Sequence, residues 1–218
     1  VSNTGVVATD TTGVGTARQW IGACDYGGDK GLFGFGGHNG AATNTAVTNL
    51  VSNTGVVATD TTGVGTARRS PGACEYGGDK AIFGFGYESD NVSMTNLVSN
   101  SGVVASDVTG VGTARRGQGA CSFGGDKGIF GFGYSGTNVS MTNLVSNAGV
   151  VATDVTGVGT GRRYLAACEY GQDKGIFGYG VESSNSAVTN LVSNVGVVAS
   201  DVTGVGSARY TLAACSFN

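Results

Sequence analysis

Hydrophobic and polar positions along this chain alternate over short stretches, which is the pattern of β-strands. In residues 80–87, KAIFGFGY, Ile82 and the glycines are expected on one side of a strand, with Phe83 and Phe85 on the other. The preceding ACEY is short and apolar, and YGGDK between the two stretches predicts a tight hairpin, because glycine reaches positive φ without steric cost. No window carries the stripe of an amphipathic helix.

The same stretches recur along the chain. VSNTGVVATDTTGVGTAR or a close variant begins at residues 1, 51, 98, 145 and 192, so the offsets are 50, 47, 47 and 47. Each unit adds two further predicted strands, TNLVSN and GVVATD, which are rich in Val and Thr and joined by a turn. We therefore divide one domain, 1–218, into repeats 1–50, 51–97, 98–144 and 145–191 and a partial repeat 192–218.

Four short strands every 47 residues predict an all-β fold, a β-propeller of about five blades with four antiparallel strands each. A β-solenoid is the rival, but its coils are usually shorter. ACEY would be innermost strand A, KAIFGFG strand B, TNLVSN strand C and GVVATD outer strand D. The two chain ends would then share a fifth blade made of strands C, D and A, with strand B absent. Self-assembly that completes this open blade is one expectation. The alternative is that the chain, which begins within a repeat phrase at Val1, is processed, cut at an artificial boundary or part of a larger ring.

The phrase TAR…ACEYGGDKAIFGFGY…TNLVSN resembles the Kelch type of propeller repeat. That family carries an arginine before the first strand and glycines at the end of the second, as Gly84 and Gly86 stand here. The arginines in the first place are Arg18, Arg68, Arg115, Arg162 and Arg209. The usual Gly-Gly doublet is Gly-Phe-Gly in this chain, and the later Tyr…Trp pair is absent. The nearly identical glycine-rich repeats also look like those in structural proteins of marine bacteriophages.

Composition excludes several classes of partner. Charged residues make up 12% of the chain and the net charge is −3, so no basic patch for nucleic acid is expected. No apolar run approaches the roughly 18 to 20 residues of a membrane helix, so membrane insertion is not expected. The 41 glycines come with a single proline, which argues against collagen-like or proline-rich disordered chains.

Reactive-site chemistry has little support in the sequence. One cysteine falls on strand A of each repeat, and we expect these five thiols to be small, buried and reduced rather than a ring that binds a soft metal. The only histidine, His38, lies in the longer first repeat and is expected in an exposed loop. Oxygen-rich loops could suit calcium, yet no DxDxDG loop is present. No cofactor, metal or catalytic residue is therefore expected.

Recurring charged pairs are expected to have structural roles. Asp79 and Lys80 should face solvent at the hairpin, where aspartate accepts backbone hydrogen bonds. Each repeat also carries an Asp and an Arg around the outer strand, such as Asp60 with Arg68. We expect an Asp–Arg link within or between blades, with hydrogen bonds to backbone carbonyls.

The copies differ mainly in two loops that a propeller would place on one face. After the arginine they read QWIG, RSPG, RGQG, RYLA and YTLA, and the loop between strands B and C varies as well. Aromatic and arginine side chains dominate recognition sites, and loops on a rigid scaffold usually carry them. The candidate binding residues are Trp20, Arg69, Tyr87, Arg116, Tyr134, Arg163, Tyr164 and Tyr210. Neutral drift in tolerant loops is the equally open alternative.

These observations favour a non-enzymatic binding or structural module. The bacteriophage resemblance implies a virion-associated or extracellular protein that contacts a glycan or protein surface, with several similar blades acting together. The alternative is a purely architectural or engineered symmetric scaffold without a ligand. Kelch-type propellers can also host enzymes, but such sites need symmetry-breaking clusters of histidine, tyrosine and acids, which this sequence does not show.

Overall fold

Residues 6–38 and 43–216 are described by a computed structural model of the chain. This part of the chain is all-β, without a helix, so it holds no helix that could cross a membrane. It contains four separate three-stranded antiparallel sheets, one per full repeat. Sheet 1 comprises β1 (Gly22–Tyr26), β2 (Lys30–Gly34) and β3 (Thr48–Val51), and sheet 2 comprises β4 (Gly72–Tyr76), β5 (Lys80–Tyr87) and β6 (Asn91–Val98). Sheet 3 comprises β7 (Gly119–Phe123), β8 (Lys127–Gly131) and β9 (Thr142–Val145), and sheet 4 comprises β10 (Ala166–Tyr170), β11 (Lys174–Gly178) and β12 (Thr189–Val192).

The predicted hairpin between the first two strands of each repeat is confirmed. In sheet 2, Tyr76 pairs with Lys80, so only three residues make the turn. Gly77 and Gly78 both take left-handed backbone angles, with φ of 66° and 74°. Glycine is the residue that adopts this conformation at no steric cost, which explains the recurring doublet.

The predicted fourth strand forms only in part. Next to sheet 1, the outer segment that begins the second repeat pairs with β3 through two isolated bridges, Val51 to Val57 and Thr48 to Thr61. Residues 48 and 51 of β3 are three positions apart, whereas their partners 57 and 61 in the outer segment are four positions apart. The outer segment therefore has one extra residue between the two bridges, as in a β-bulge. The Asn49 side chain fills the interruption and donates a hydrogen bond of 3.1 Å to the Ala58 carbonyl. Each sheet is therefore three-stranded, with a bridged outer segment.

Neighbouring sheets are joined by phenylalanine rings that lie against glycines. Phe83 of sheet 2 is fully buried, and a Cβ added to Gly34 of sheet 1 would lie 2.6 Å from its ζ carbon. Phe130 lies in the same way against Gly84, a glycine of sheet 2. Because any side chain at these glycines would displace the ring, the Gly-Phe alternation fixes how closely the sheets pack.

The two aromatic residues of β5 face opposite neighbours, so the expectation that Phe83 and Phe85 share one side is wrong. Phe83 stacks edge-on against Phe35, the residue after β2, whereas Phe85 stacks against Phe130 of sheet 3. The ring centroids are 5.0 and 5.3 Å apart. The cause is a register shift between Gly84 and Gly86, where Phe85 takes a φ of 59°. This bulge reverses the alternation and places Phe85 on the side of Ile82.

The partial fifth repeat forms no sheet of its own in the described residues. Residues 209–216 carry no strand, although Ala214, Cys215 and Ser216 line the same central cavity as strands β1, β4, β7 and β10. The start of the chain, which was expected to lie within strand C, and the final residues 217–218 lie outside the described residues.

Replacement of Phe130 with alanine should lower the free energy of unfolding by about 3 to 5 kcal/mol, because the ring is fully buried between two sheets. Phe33 is the matched control: it occupies the equivalent position in sheet 1 but is 36% exposed. Phe33→Ala should cost clearly less in urea unfolding at pH 7. Equal losses for the two variants would show that the ring–glycine contacts do not hold the sheets together.

Candidate functional site

Arginine and aromatic side chains from successive repeats alternate along one face of the molecule. The Arg69 guanidinium carbon lies 5.4 Å from the centre of the Trp20 ring and 4.4 Å from that of Tyr87. Arg116 lies 4.6 Å from Tyr87 and 4.9 Å from Tyr134. Each guanidinium therefore stands between two rings of different repeats, at distances typical of cation–π contacts.

The alternation continues into the fourth repeat. Arg163 lies 4.8 Å from the Tyr134 ring and 5.8 Å from the Tyr164 ring. We call this set the aromatic–arginine row; its members are Trp20, Arg69, Tyr87, Arg116, Tyr134, Arg163 and Tyr164. The structure thus brings seven of the eight predicted binding residues into one array. Tyr210, which is 48% exposed, has no such contact with the row.

Backbone pairing brings the two variable loops of each repeat together. Arg116 and Tyr134 form an isolated antiparallel bridge, in which the Tyr134 N–H donates a hydrogen bond of 2.9 Å to the Arg116 carbonyl. Arg69 pairs with Tyr87 in the same way. The prediction that both loops lie on one face is confirmed by these contacts.

Asparagines that the sequence analysis missed connect one repeat to the next. Asn91 accepts a hydrogen bond of 2.9 Å from Arg116 Nη1 and donates one of 3.1 Å to the Tyr134 carbonyl. Asn44 and Asn138 make the equivalent bonds to Arg69 and Arg163. Their recurrence between strands B and C was the available signal, but the loops around them vary in length and sequence.

A line of backbone hydrogen bonds also crosses the repeats beside the row. The Ser70 N–H donates to the Trp20 carbonyl at 2.8 Å, and the Tyr164 N–H donates to the Gly117 carbonyl at 2.7 Å. All four residues, with Thr211, take left-handed φ angles between 53° and 63°. Residues other than glycine rarely adopt this backbone conformation, so the inter-repeat bonds hold the non-glycine residues of these loops in a strained and defined shape.

The row combines flat ring faces with fixed guanidinium groups. Trp20 is 41% exposed, and the other members are partly buried. Aromatic rings accept other rings and apolar edges, and guanidinium groups recognise carboxylates and carbonyl oxygens through paired hydrogen bonds. Because the contacts above already orient these side chains, a ligand would meet a surface that needs little reorganisation.

A second set of arginines lies buried between the sheets. Arg115 Nε donates a hydrogen bond of 2.9 Å to the Phe132 carbonyl, and Nη2 donates one of 2.6 Å to Asn143 Oδ1. Its guanidinium carbon lies 4.0 Å from the centre of the Phe85 ring in the preceding repeat. Burial lowers the pKa of Arg68 and Arg115 to about 10, so both remain cationic at neutral pH.

The expected Asp–Arg link exists, but it joins different residues from those suggested. Arg68 lies 3.9 Å from Asp107 of the following outer segment, and Arg115 lies 3.8 Å from Asp154. The pairing of Asp60 with Arg68 is therefore wrong, since the Asp60 carboxylate lies beside Arg18. The link runs between repeats because the outer segment of one repeat lies beside the arginine of the preceding one.

Hydrogen bonds hold these carboxylates in their charged form. Partial burial alone would raise the pKa of Asp107, but bonds from Thr66 and Asn96, together with the charge of Arg68, lower it. The Thr66 hydroxyl donates at 2.7 Å and the Asn96 amide at 2.9 Å. This pKa shift stabilises the fold above the unfolded-state pKa of aspartate.

Stability should therefore fall in acid. A lowered folded-state pKa contributes stabilisation that is present above the unfolded value of about 3.9 and is lost as the pH falls through the folded value. Asp107→Asn should reduce the difference in unfolding free energy between pH 6 and pH 3, measured by urea denaturation. Asp90→Asn, at an exposed loop position bonded to the Asn91 backbone, is the control. An unchanged pH dependence in Asp107→Asn would contradict this role.

A central cavity of about 380 Å³ is lined by strands β1, β4, β7 and β10 and by the equivalent residues 214–216, which carry no strand. The residue after each cysteine lines it and differs among copies: Asp25, Glu75, Ser122, Glu169 and Ser216. Burial raises the pKa of Asp25, while burial and then the charge of Asp25 raise that of Glu75. Ser122 donates a hydrogen bond of 2.9 Å to Glu169. Within the described residues, no group of three or more His, Cys, Asp or Glu side chains is placed to hold a metal ion.

The cysteines are free, as expected, but they are not all buried. Cys74 and Cys121 are buried, Cys24 and Cys168 are partly exposed, and Cys215 is exposed. Burial raises the pKa of the Cys74 and Cys121 thiols, which opposes formation of the reactive thiolate. His38 lies outside the strands, as expected of a loop residue, but it is partly buried rather than exposed.

Alkylation should separate these thiols. In the folded protein at pH 8, iodoacetamide should modify Cys215 fastest and leave Cys74 and Cys121 unmodified, because reaction requires an accessible thiolate. Peptide mass spectrometry of time points gives the order of modification. Rapid modification of Cys121 before unfolding would contradict the described packing of β7 against sheet 4.

A comparison of the sequence with models of known protein families finds no match, and a comparison with curated proteins also finds none.

Proposed function

We propose that this chain is a non-enzymatic recognition module whose ligand surface is the aromatic–arginine row. The observation that carries the proposal is the stacking of Arg69, Arg116 and Arg163 between rings of successive repeats. These are loop positions at which the copies differ, held on a scaffold that the copies share.

We also propose that the scaffold is a five-bladed, Kelch-like propeller with one incomplete blade. Successive sheets pack in chain order, and five strand A segments surround one cavity. The buried arginines and the Gly-Phe-Gly ends of strand B occupy the positions that carry the Kelch resemblance. The isolated bridges of the outer segments then represent a loosely paired strand D.

The ligand class we favour is a glycan or protein surface outside the cell or on a virion. A sugar ring can stack on an aromatic face while its hydroxyl or carboxylate oxygens accept hydrogen bonds from guanidinium groups. Arg69, Arg116 and Arg163 each lie between aromatic rings and donate a hydrogen bond to an asparagine side chain. Similar neighbouring subsites would let weak contacts combine through avidity.

Binding to a panel of immobilised neutral and acidic glycans tests the proposal. For a glycan that binds, Tyr87→Ala and Tyr134→Ala should each weaken affinity by about tenfold or more, as expected for loss of a contact near 1.4 kcal/mol. Tyr170→Ala is the matched control, since Tyr170 is 36% exposed and lies outside the row. Circular dichroism and urea unfolding verify that each variant folds.

Binding that survives both row substitutions would contradict the proposal, as would equal loss in Tyr170→Ala. Absence of binding to the glycans and to candidate host proteins would favour an architectural role. A specific observation supports that second candidate: the row members already contact one another across repeats, so they can join repeats without a ligand.

A further inference from the structure

The outer face of sheet 1 is uncovered where the equivalent faces of the other sheets are packed. Phe33 is 36% exposed, whereas Phe83, Phe130 and Phe177 at the same position are fully buried. Val51 is partly exposed, although its equivalents are also fully buried. The other three rings lie against glycines of a preceding sheet, whereas no sheet precedes Phe33 in the part of the chain that the structure describes.

The outer face of sheet 4 is uncovered in the complementary way. Tyr170 is 36% exposed, whereas Tyr76 at the equivalent position is 4% exposed. A Cβ added to Gly178 would meet only Thr189, whereas one added to Gly131 would lie 2.7 Å from the Phe177 ring. Sheet 4 therefore presents a glycine without a ring, and sheet 1 presents a ring without a glycine.

The surroundings of the cysteines also distinguish sheet 4 from the inner sheets. A Cβ added to Gly175 would lie 2.7 Å from Cys121 Sγ, so β11 covers that thiol. One added to Gly128 would lie 2.6 Å from Cys74 Sγ. Cys168 is partly exposed, and no glycine of a described strand lies against its thiol in the corresponding way.

The buried arginines repeat the pattern. Arg68, Arg115 and Arg162 each stack on a ring of the preceding repeat at 4.0 to 4.3 Å. No ring stacks on the Arg18 guanidinium among the described residues, and its Nε is buried without a hydrogen-bond partner. Arg18 and Phe33 both line a cavity of about 480 Å³ beside the segment 11–16.

We infer that the gap between these uncovered faces of sheets 1 and 4 is a docking site for one strand with the strand B sequence of this chain's own repeats. Three internal interfaces serve as the template, because they show what covers each exposed group. A segment like residues 124–133 would place a phenylalanine on Gly178, a glycine under Phe33 and a second glycine over Cys168. Its strand B would also pair with the open edge of residues 213–216. This docking site is separate from the aromatic–arginine row and does not depend on the proposed ligand.

A synthetic peptide with the sequence of residues 124–133 tests the inference with the 218-residue chain. At ten times its dissociation constant, the peptide should slow iodoacetamide modification of Cys168 and Cys215 about tenfold, as mass action requires for a protected site. Cys24, whose surroundings the peptide does not fill, serves as the internal reference.

Two matched changes make the test specific. A peptide with Gly131→Val should not protect, because the side chain would occupy the place of the Phe33 ring. A chain with Phe33→Ala should bind the normal peptide at least about tenfold more weakly, as loss of roughly 1.4 kcal/mol implies. The exposure of Phe33 makes this variant expected to fold, and circular dichroism verifies it.

Unchanged modification rates with the normal peptide would overturn the inference. Equal protection by the Gly131→Val peptide would do so as well, because it would show adhesion without strand insertion. Protection of Cys168 that rises with protein concentration, and that the peptide does not displace, would assign the gap to direct packing between two copies instead.

Discussion

Close contact between a phenylalanine ring and a glycine of the preceding sheet is the constraint on which the rest of the structure depends. The rings of Phe83, Phe130 and Phe177 are fully buried, each against strand glycines that lack room for a side chain. Apolar area is buried mainly between sheets rather than within them, so each repeat needs a neighbour to complete its packing. This dependence explains why Phe33 of sheet 1 and Tyr170 of sheet 4 are exposed, whereas their equivalents in the inner sheets are buried.

Polar contacts fix how neighbouring repeats are positioned within this packing. The buried arginine of each repeat lies against a ring of the preceding repeat and is bonded to a carbonyl and an asparagine of its own. Its charge is compensated by an aspartate in the outer segment. Since an isolated buried charge is costly, these partners fix the relative positions of neighbouring repeats more strictly than apolar contact alone. Because neighbouring repeats are regularly spaced, their variable loops are also regularly spaced, and this spacing produces the aromatic–arginine row.

The repeated pattern was sufficient to predict three strands of each full repeat, the hairpins and the burial of Phe83, Phe130 and Phe177, because these depend on local chemistry and on period. It was insufficient where one residue changes the geometry. The left-handed Phe85 reverses the side-chain alternation, and a glycine-rich sequence gives no sign of which residue bulges. Likewise, the Asp107 partner of Arg68 could not be chosen from sequence, since both neighbouring repeats offer the same residue types.

Seven of the eight candidate binding residues lie together, and the sequence pointed to them because aromatic and arginine residues were concentrated in the variable loops. Their mutual stacking and the roles of Asn44, Asn91 and Asn138 were not predicted, since these depend on how adjacent repeats are spaced. The acids of the central cavity were also missed, because alternation along a short strand does not reveal which residues converge on an axis.

The central claim is that ring–glycine contact between sheets organises the molecule, and a double-mutant cycle on Gly131 and Phe177 tests it most directly. Gly131→Ala should destabilise the native chain strongly, because the new Cβ meets the Phe177 ring. In a Phe177→Ala background the same change should cost much less, giving a coupling energy within the range of about 0.5 to 3 kcal/mol seen for contacting residues. Additive effects of the two substitutions on the unfolding free energy would contradict the account.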